Sequence, residues 1–240
     1  MSNTDKFMPK KNKKRLLRDI SKLIKTPLTD NGIYYAHDSE NMLKGYAMIY
    51  GPDDTIYRYG CYFFEFNYPL NYPFSPPKVL YMTNNGSTRF NPNLYRNGKV
   101  CLSLLNTWKG EQWTSCQTVK TILLNLVTLL HNKPMLNEPG IKESHRDFKP
   151  YNLIIQYENY RTAILNMIIQ KNLPEQFLPF YHIFKQHFRI KKKDIIKELI
   201  DLEASGDNDK TVECRFFRMK CTLNYKVLRE NLEVAFDEYL

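Results

Sequence analysis

Phe90-Asn91-Pro92-Asn93-Leu94-Tyr95-Arg96-Asn97-Gly98-Lys99-Val100-Cys101-Leu102-Ser103-Leu104-Leu105 is the chemically richest stretch of this 240-residue chain. It is dense in Asn and Gly and short of any helix or strand period, which predicts an ordered irregular segment. Cys101 follows an Asn/Gly turn outside any helical pattern, an arrangement that leaves its thiol open to solvent. A free cysteine also packs as a small hydrophobe, so Cys101 by itself decides nothing and its surroundings carry the reading. Upstream, residues 67–77 hold Pro69, Pro73, Pro76 and Pro77. Each proline fixes φ and removes a backbone donor, so this segment is expected as a rigid extended loop.

Farther out, residues 45–50, 61–66 and 78–82 are rich in Tyr, Phe, Ile or Val and are punctuated by Gly51-Pro52 and Tyr68-Pro69. They read as an antiparallel meander of three or four strands. On the C-terminal side, Val119, Ile122, Leu123, Leu126, Val127 and Leu130 cover most of the circumference of a helix over 117–131, the most buried one expected. A helix over 151–170 shows Tyr157, Tyr160, Ile164, Met167 and Ile168 on one face. Pro174 and Pro179 mark a change of organisation. Beyond them come helical stripes at Phe177, Phe180, Tyr181, Phe184 and Phe188, over 191–203, and at Tyr225, Leu228, Leu232, Ala235 and Phe236, with a polar loop at 205–210. At the other end, Pro9 and Pro27 bracket Leu16, Leu17, Ile20, Leu23 and Ile24, one apolar stripe on a helix otherwise covered by Lys and Arg. The expected layout is a flexible N-terminus over 1–9, a core domain over 10–170 and an all-helical extension over 171–240.

Hydrophobic residues at 42% and charged residues at 25% support a packed core rather than wholesale disorder. The net charge of +10 invites a nucleic-acid reading, but nine Lys/Arg against Asp5 and Asp19 put +7 of it in residues 1–25. No groove-reading motif accompanies that charge, so nucleic acid is not an expected partner. The N-terminus lacks the apolar core of a secretory signal, and the longest apolar run, 121–130, is roughly half of what a membrane span needs. Five cysteines (61, 101, 116, 214 and 221) form an odd set without a CxxC pair. That argues against a disulfide framework and offers no zinc spacing. A soluble, reducing setting, cytoplasmic or nuclear, is expected.

Tyr72-Pro73-Phe74-Ser75-Pro76-Pro77-Lys78-Val79, then Asn91-Pro92-Asn93, then Cys101-Leu102-Ser103-Leu104-Leu105, then Trp113, resembles the ubiquitin-conjugating enzyme (E2) family. In that family a Tyr-Pro-x-x-Pro-Pro loop precedes a His-Pro-Asn tripeptide. The catalytic cysteine follows the tripeptide's Asn by eight residues, and a Trp lies about a dozen further on. Asn93 to Cys101 keeps the interval of eight. The resemblance covers about 10–170 and is closest to the large, extended branch typified by the Uba6-specific enzyme Use1. It implies an α+β UBC fold with a four-stranded antiparallel meander sheet, flanking helices and an extra C-terminal helical extension.

The resemblance also implies roles. Cys101 would take ubiquitin, or a ubiquitin-like modifier, from an activating enzyme (E1) as a thioester, because only a thiolate supplies that nucleophile readily. Asn93 would stabilise the tetrahedral oxygen or order the loop around it. Tyr95 and Glu138 would line the approach of the acceptor lysine. Lys13, Lys14, Arg15 and Arg18 would present the first helix to an acidic patch on E1, and Phe74 would contact a ligase (E3). No metal or organic cofactor is implied, since ATP is used by E1. Three departures stand out, one of them a short insertion, 107–112, between Cys101 and Trp113. Asn91 replaces the usual His, and Thr114-Ser115-Cys116 replaces the Ser-Pro-Ala that follows Trp in many members, which puts the usual E3 contact in question. The competing readings are an inert E2-like binding module, a thiol protease using His131 or His145, and a basic nucleic-acid binder.

Overall fold

The computed structural model describes residues 7–170 and 174–240. Of the expected flexible 1–9 segment, residues 1–6 lie outside the described residues, as does the expected core/extension boundary at 170/171. Helix α1 spans Lys10–Lys25, with Lys22 and Lys25 in its last turn, where cations complement the helix dipole. Its buried face is Asn12, Leu16, Asp19, Ile20 and Leu23. Leu17 and Ile24, which the stripe includes, are 45% and 62% exposed. The helix is rolled because buried polar groups must be paired. Asp19 accepts from the Tyr72 hydroxyl and from Arg15 Nε, each at 2.8 Å, and Asn12 Nδ2 donates to the Leu70 carbonyl at 3.1 Å.

Strands β1 (Ile33–His37), β2 (Lys44–Tyr50), β3 (Cys61–Asn67) and β4 (Lys78–Tyr81) form the antiparallel meander in the order β1-β2-β3-β4. β1 is the strand that the sequence did not locate. The pairings Met48↔Phe63 and Ala47↔Phe64 fix the register, so Tyr62, Phe64 and Phe66 share one face of β3 and Phe63 points from the other. The first face meets Tyr57, Phe90, Tyr81 and Tyr68.

Helix α2 is Val119–Thr128, shorter at both ends than the expected 117–131. Helix α3 (Phe148–Glu158) begins earlier than expected and passes through a π segment, Asn159–Leu165, into the short α4 (Asn166–Ile168). Glu158, Asn159 and Tyr160 are all buried, more than one α-helical face allows, and the wider turn accommodates them. Asn159 accepts from the Tyr62 hydroxyl at 2.6 Å and donates to the Arg58 carbonyl at 2.9 Å. Gly60 makes this approach possible, since a Cβ there would lie 2.1 Å from Asn159 Oδ1.

The extension contains α5 (Tyr181–Glu203), β5 (Lys210–Cys214), β6 (Met219–Leu223) and α6 (Tyr225–Tyr239). The expectation of an all-helical extension is thus corrected by a β-hairpin. Its alternation is present in the sequence: Cys214 and Met219, Cys221 and Leu223 are buried while Glu213, Lys220 and Thr222 are exposed. Phe177 from the preceding 3-10 turn and Phe180 and Phe184 pack on Phe63, with ring centroids 4.7, 6.1 and 6.3 Å away. The extension therefore covers the second face of the sheet.

Candidate active site

Cys101 and Asn93 are joined by two hydrogen bonds. Cys101 N–H donates to the Asn93 carbonyl at 2.9 Å, and Asn93 Nδ2 donates to the Cys101 carbonyl at 2.7 Å. The eight-residue interval is therefore the length of one closed loop, with Gly98 at φ 84° in its turn, a conformation glycine adopts without strain. Asn91 organises the loop from below. Its Oδ1 accepts from Asn93 N–H (2.8 Å) and from Asn137 Nδ2 (3.3 Å), and its Nδ2 donates to the Leu129 carbonyl (2.8 Å). Through Asn137, the segment ending at Glu138 is tied to the tripeptide. Glu138 is half-buried, and Tyr95 is half-buried with its ring 3.3 Å from the Arg89 guanidinium.

The expectation of an open thiol is not met: Cys101 is only 2% exposed. Beside it the chain returns at Thr107. Thr107 Oγ1 accepts from Leu102 N–H and donates to the Val100 carbonyl, each at 2.9 Å, so it bridges both neighbours of Cys101. Sequence reasoning missed Thr107; its only signal was its place at the start of the 107–112 insertion. Beyond it a cleft of about 690 Å³ lies between residues 106–112, including the exposed Trp108, and Pro139.

Cys116 is the one exposed cysteine and precedes α2, while Cys61, Cys101, Cys214 and Cys221 are buried. Burial pushes the thiols of Cys61 and Cys214 up, and that of Cys221 up to about 12, against thiolate formation. Neither histidine of the protease reading is free for Cys101. His131 Nε2 meets Asn137 Oδ1 at 3.1 Å and its Nδ1 accepts from Lys133 N–H, while His145 Nδ1 accepts from Asp147 N–H and its ring abuts Phe216.

At the other candidate surface, Lys13, Lys14 and Arg18 are exposed. Arg15 is not available in the same way. Its Nε binds Asp19, and its two terminal nitrogens donate to the carbonyls of Ser115 (2.6 Å) and Gln117 (2.9 Å), which locks α1 to the chain entering α2. Phe74 is 63% exposed and shares a cleft of about 490 Å³ with Lys14, Arg18 and Ser115. Trp113 supports this cleft, its Nε1 donating to the Pro73 carbonyl at 2.7 Å.

Comparison with known proteins agrees with this geometry. The human protein named "Ubiquitin-conjugating enzyme E2 Z" is 37% identical over 183 residues, covering 71% of this chain and 51% of its own length. "Probable ubiquitin-conjugating enzyme protein 17" of Caenorhabditis elegans is 34% identical over 198 residues, covering 77% of this chain and 26% of its own length. The human "Dual E2 ubiquitin-conjugating enzyme/E3 ubiquitin-protein ligase BIRC6" is 33% identical over 177 residues, 71% of this chain and 4% of that protein. The chain spans about half the length of the first of these relatives. The family model described as "Ubiquitin-conjugating enzyme" matches residues 15–156, which include the Asn93–Cys101 loop, Trp113 and the sheet. By that match, over more than half of its length, the chain belongs to the ubiquitin-conjugating enzyme family.

Proposed function

We propose that this chain works as an E2: it accepts ubiquitin, or a ubiquitin-like modifier, from E1 as a thioester on Cys101 and passes it to a substrate lysine, with an E3 assisting. The observation that carries this reading is the two-bond pairing of Cys101 with Asn93 inside the family match. In the first step the Cys101 thiolate attacks the E1-bound thioester carbonyl. A new C–S bond forms at Cys101, and the E1 cysteine leaves as thiolate. In the second, a neutral lysine amine attacks that carbonyl, the C–N bond forms, and Cys101 leaves as thiolate. The amine's proton passes to water or to Glu138. Charging requires the thiol of Cys101, 2% exposed at rest, to open, and the Thr107 return beside it is the segment that would move. Asn93 holds the loop through the Cys101 carbonyl and offers the same amide to the tetrahedral oxygen. Tyr95 and Glu138 flank the incoming lysine, whose desolvation makes it a better nucleophile.

Lys13, Lys14 and Arg18 face the acidic surface of E1, with Phe74 beside them for an E3; Arg15 holds the helix that carries them. Such charge speeds encounter, and more so at low salt. The Asn91-Pro92-Asn93 form and the extension past residue 170 support placement in the extended branch typified by Use1. The scheme uses no metal or organic cofactor, ATP being consumed by E1, and goes with a cytoplasmic or nuclear setting. The test is to mix the protein with E1, ATP and ubiquitin and run gels with and without reductant. The expected result is a thiol-sensitive adduct that is absent in Cys101→Ala. An adduct that persists in that variant would move the chemistry to Cys116. No adduct with any E1 tested, from folded protein, would sink the reading.

A further inference from the structure

Arg89 stands where the active-site loop meets the C-terminal hairpin, and its groups are held from both sides. Its N–H donates to Met219 Sδ of β6 at 3.2 Å, and its carbonyl accepts from the Tyr151 hydroxyl at 2.7 Å. Its guanidinium donates to the carbonyls of Asn91 (3.2 Å) and Pro92, the two residues that lead into Asn93. The same group lies on the Tyr95 ring and 5.7 Å from the ring of Phe217, at the hairpin tip. Phe217 is seated in turn against Tyr151, with centroids 5.3 Å apart. Arg96 reaches the tip from the far side of the loop, donating to the Phe217 and Arg218 carbonyls while its Nε holds the Ser87 carbonyl at 2.7 Å. Asp147 Oδ2 fixes the tip by accepting from Phe216 N–H at 2.8 Å.

We propose that the tip of the β5–β6 hairpin, acting through Phe217 and Arg89, positions the Asn91-Pro92-Asn93 turn and Tyr95 for transfer from Cys101. The proposal rests on the E2 reading for its chemistry, but the coupling itself does not. The hairpin lies outside residues 15–156 that match the family, so this support is supplied by the chain's own extension. A hairpin needed only for packing would be satisfied by apolar contacts. Here two guanidinium groups spend their donors on carbonyls flanking the catalytic turn and on those of the tip. Each donor fixes the plane of a peptide, and the peptides at Asn91 and Pro92 set where the Asn93 amide points. The cation between Tyr95 and Phe217 holds the Tyr95 ring in the same way, through both π faces. Phe217 and Arg89 are thus positioning residues, one removed from the reacting atoms.

The test uses the full chain with Phe217→Leu, which keeps apolar bulk and removes the π face, and Phe217→Tyr, which restores it. Amide exchange is followed at Asn93 and Cys101, whose N–H groups bond Asn91 Oδ1 and the Asn93 carbonyl. Phe217→Leu is expected to speed exchange at these two amides by about tenfold, leave the β2–β3 ladder unchanged, and be reversed by Phe217→Tyr. Discharge of the preformed Cys101 thioester to saturating free lysine should fall about fivefold in Phe217→Leu at an unchanged extent of charging. Unchanged exchange at Asn93 and Cys101, or a rise spread equally over β3, overturns the proposal. A chain that takes up no thioester overturns the E2 reading instead, and the exchange measurement still decides whether the hairpin holds the loop.

Discussion

The Cys101 carbonyl has Asn93 Nδ2 as its side-chain partner, so Asn93→Ala leaves a buried acceptor bare at a cost of about 1–3 kcal/mol. Loss of one oxyanion donor slows acyl transfer on the order of 100-fold in other sites, and discharge to lysine should fall toward that figure while charging is spared. Single-turnover assays of the two steps decide; equal loss of both makes Asn93 purely a loop-ordering residue. The pair was legible through the family resemblance, whose eight-residue interval the turn at Gly98 closes as one loop. Arg15 was not, because its partners, Ser115 and Gln117, are about a hundred residues away. Burial of Cys101 was illegible for a related reason. The Asn/Gly turn argued for exposure, and the Thr107 return beside Cys101 is held through backbone atoms that any sequence shares.

Helix α5 meets the sheet through His187 as well as through phenylalanines. The imidazole stacks on Tyr50 with centroids 4.0 Å apart, and its Nε2 is buried without a hydrogen-bond partner. Burial, with Lys191 adding repulsion, pulls its pKa from 6.5 down to about 4. The unfolded chain then binds a proton that the fold refuses, so this stability is fully present above pH 6.5 and is lost as pH falls toward 4. The loss is at most on the order of 3 kcal/mol. Denaturant titrations at pH 7 and pH 4.5 should show it in the natural chain and a smaller drop in His187→Phe, against the background of His37, whose pKa burial also lowers. An unchanged drop in the variant would remove His187 from the account. At this scale the α5 and α6 stripes were legible as 3.6-residue periods. The roll of α1 was hidden because it follows from pairing Asp19 with Tyr72, a tertiary contact. The hairpin was written as alternation in Val212, Cys214, Met219, Cys221 and Leu223, but five-residue runs between strong helical patterns are easily absorbed into them.

At the scale of the whole molecule, both faces of the β1–β4 sheet are covered by described residues: one side holds the Tyr62, Phe64 and Phe66 layer, and Phe177, Phe180 and Phe184 cover Phe63 on the other. The extension's edges are laced by polar pairs, Arg58 to Glu198 at 2.7 Å and Lys192 to Asp237 at 2.6 Å, the latter exposed and worth little. Sequence reading divides the chain near residue 170, yet a chain cut there would bare Tyr46, Phe63 and Tyr50, aromatic rings that Phe177 and His187 of the extension now cover. Such a fragment would hold every residue of the Asn93–Cys101 loop and still be a poor protein, binding hydrophobic dyes and self-associating on gel filtration, where a well-behaved monomer would show the cut to be harmless. What looks in the sequence like an appendage is the cover of the core sheet, so shortening it would be felt as precipitation as well as in slowed discharge from Cys101.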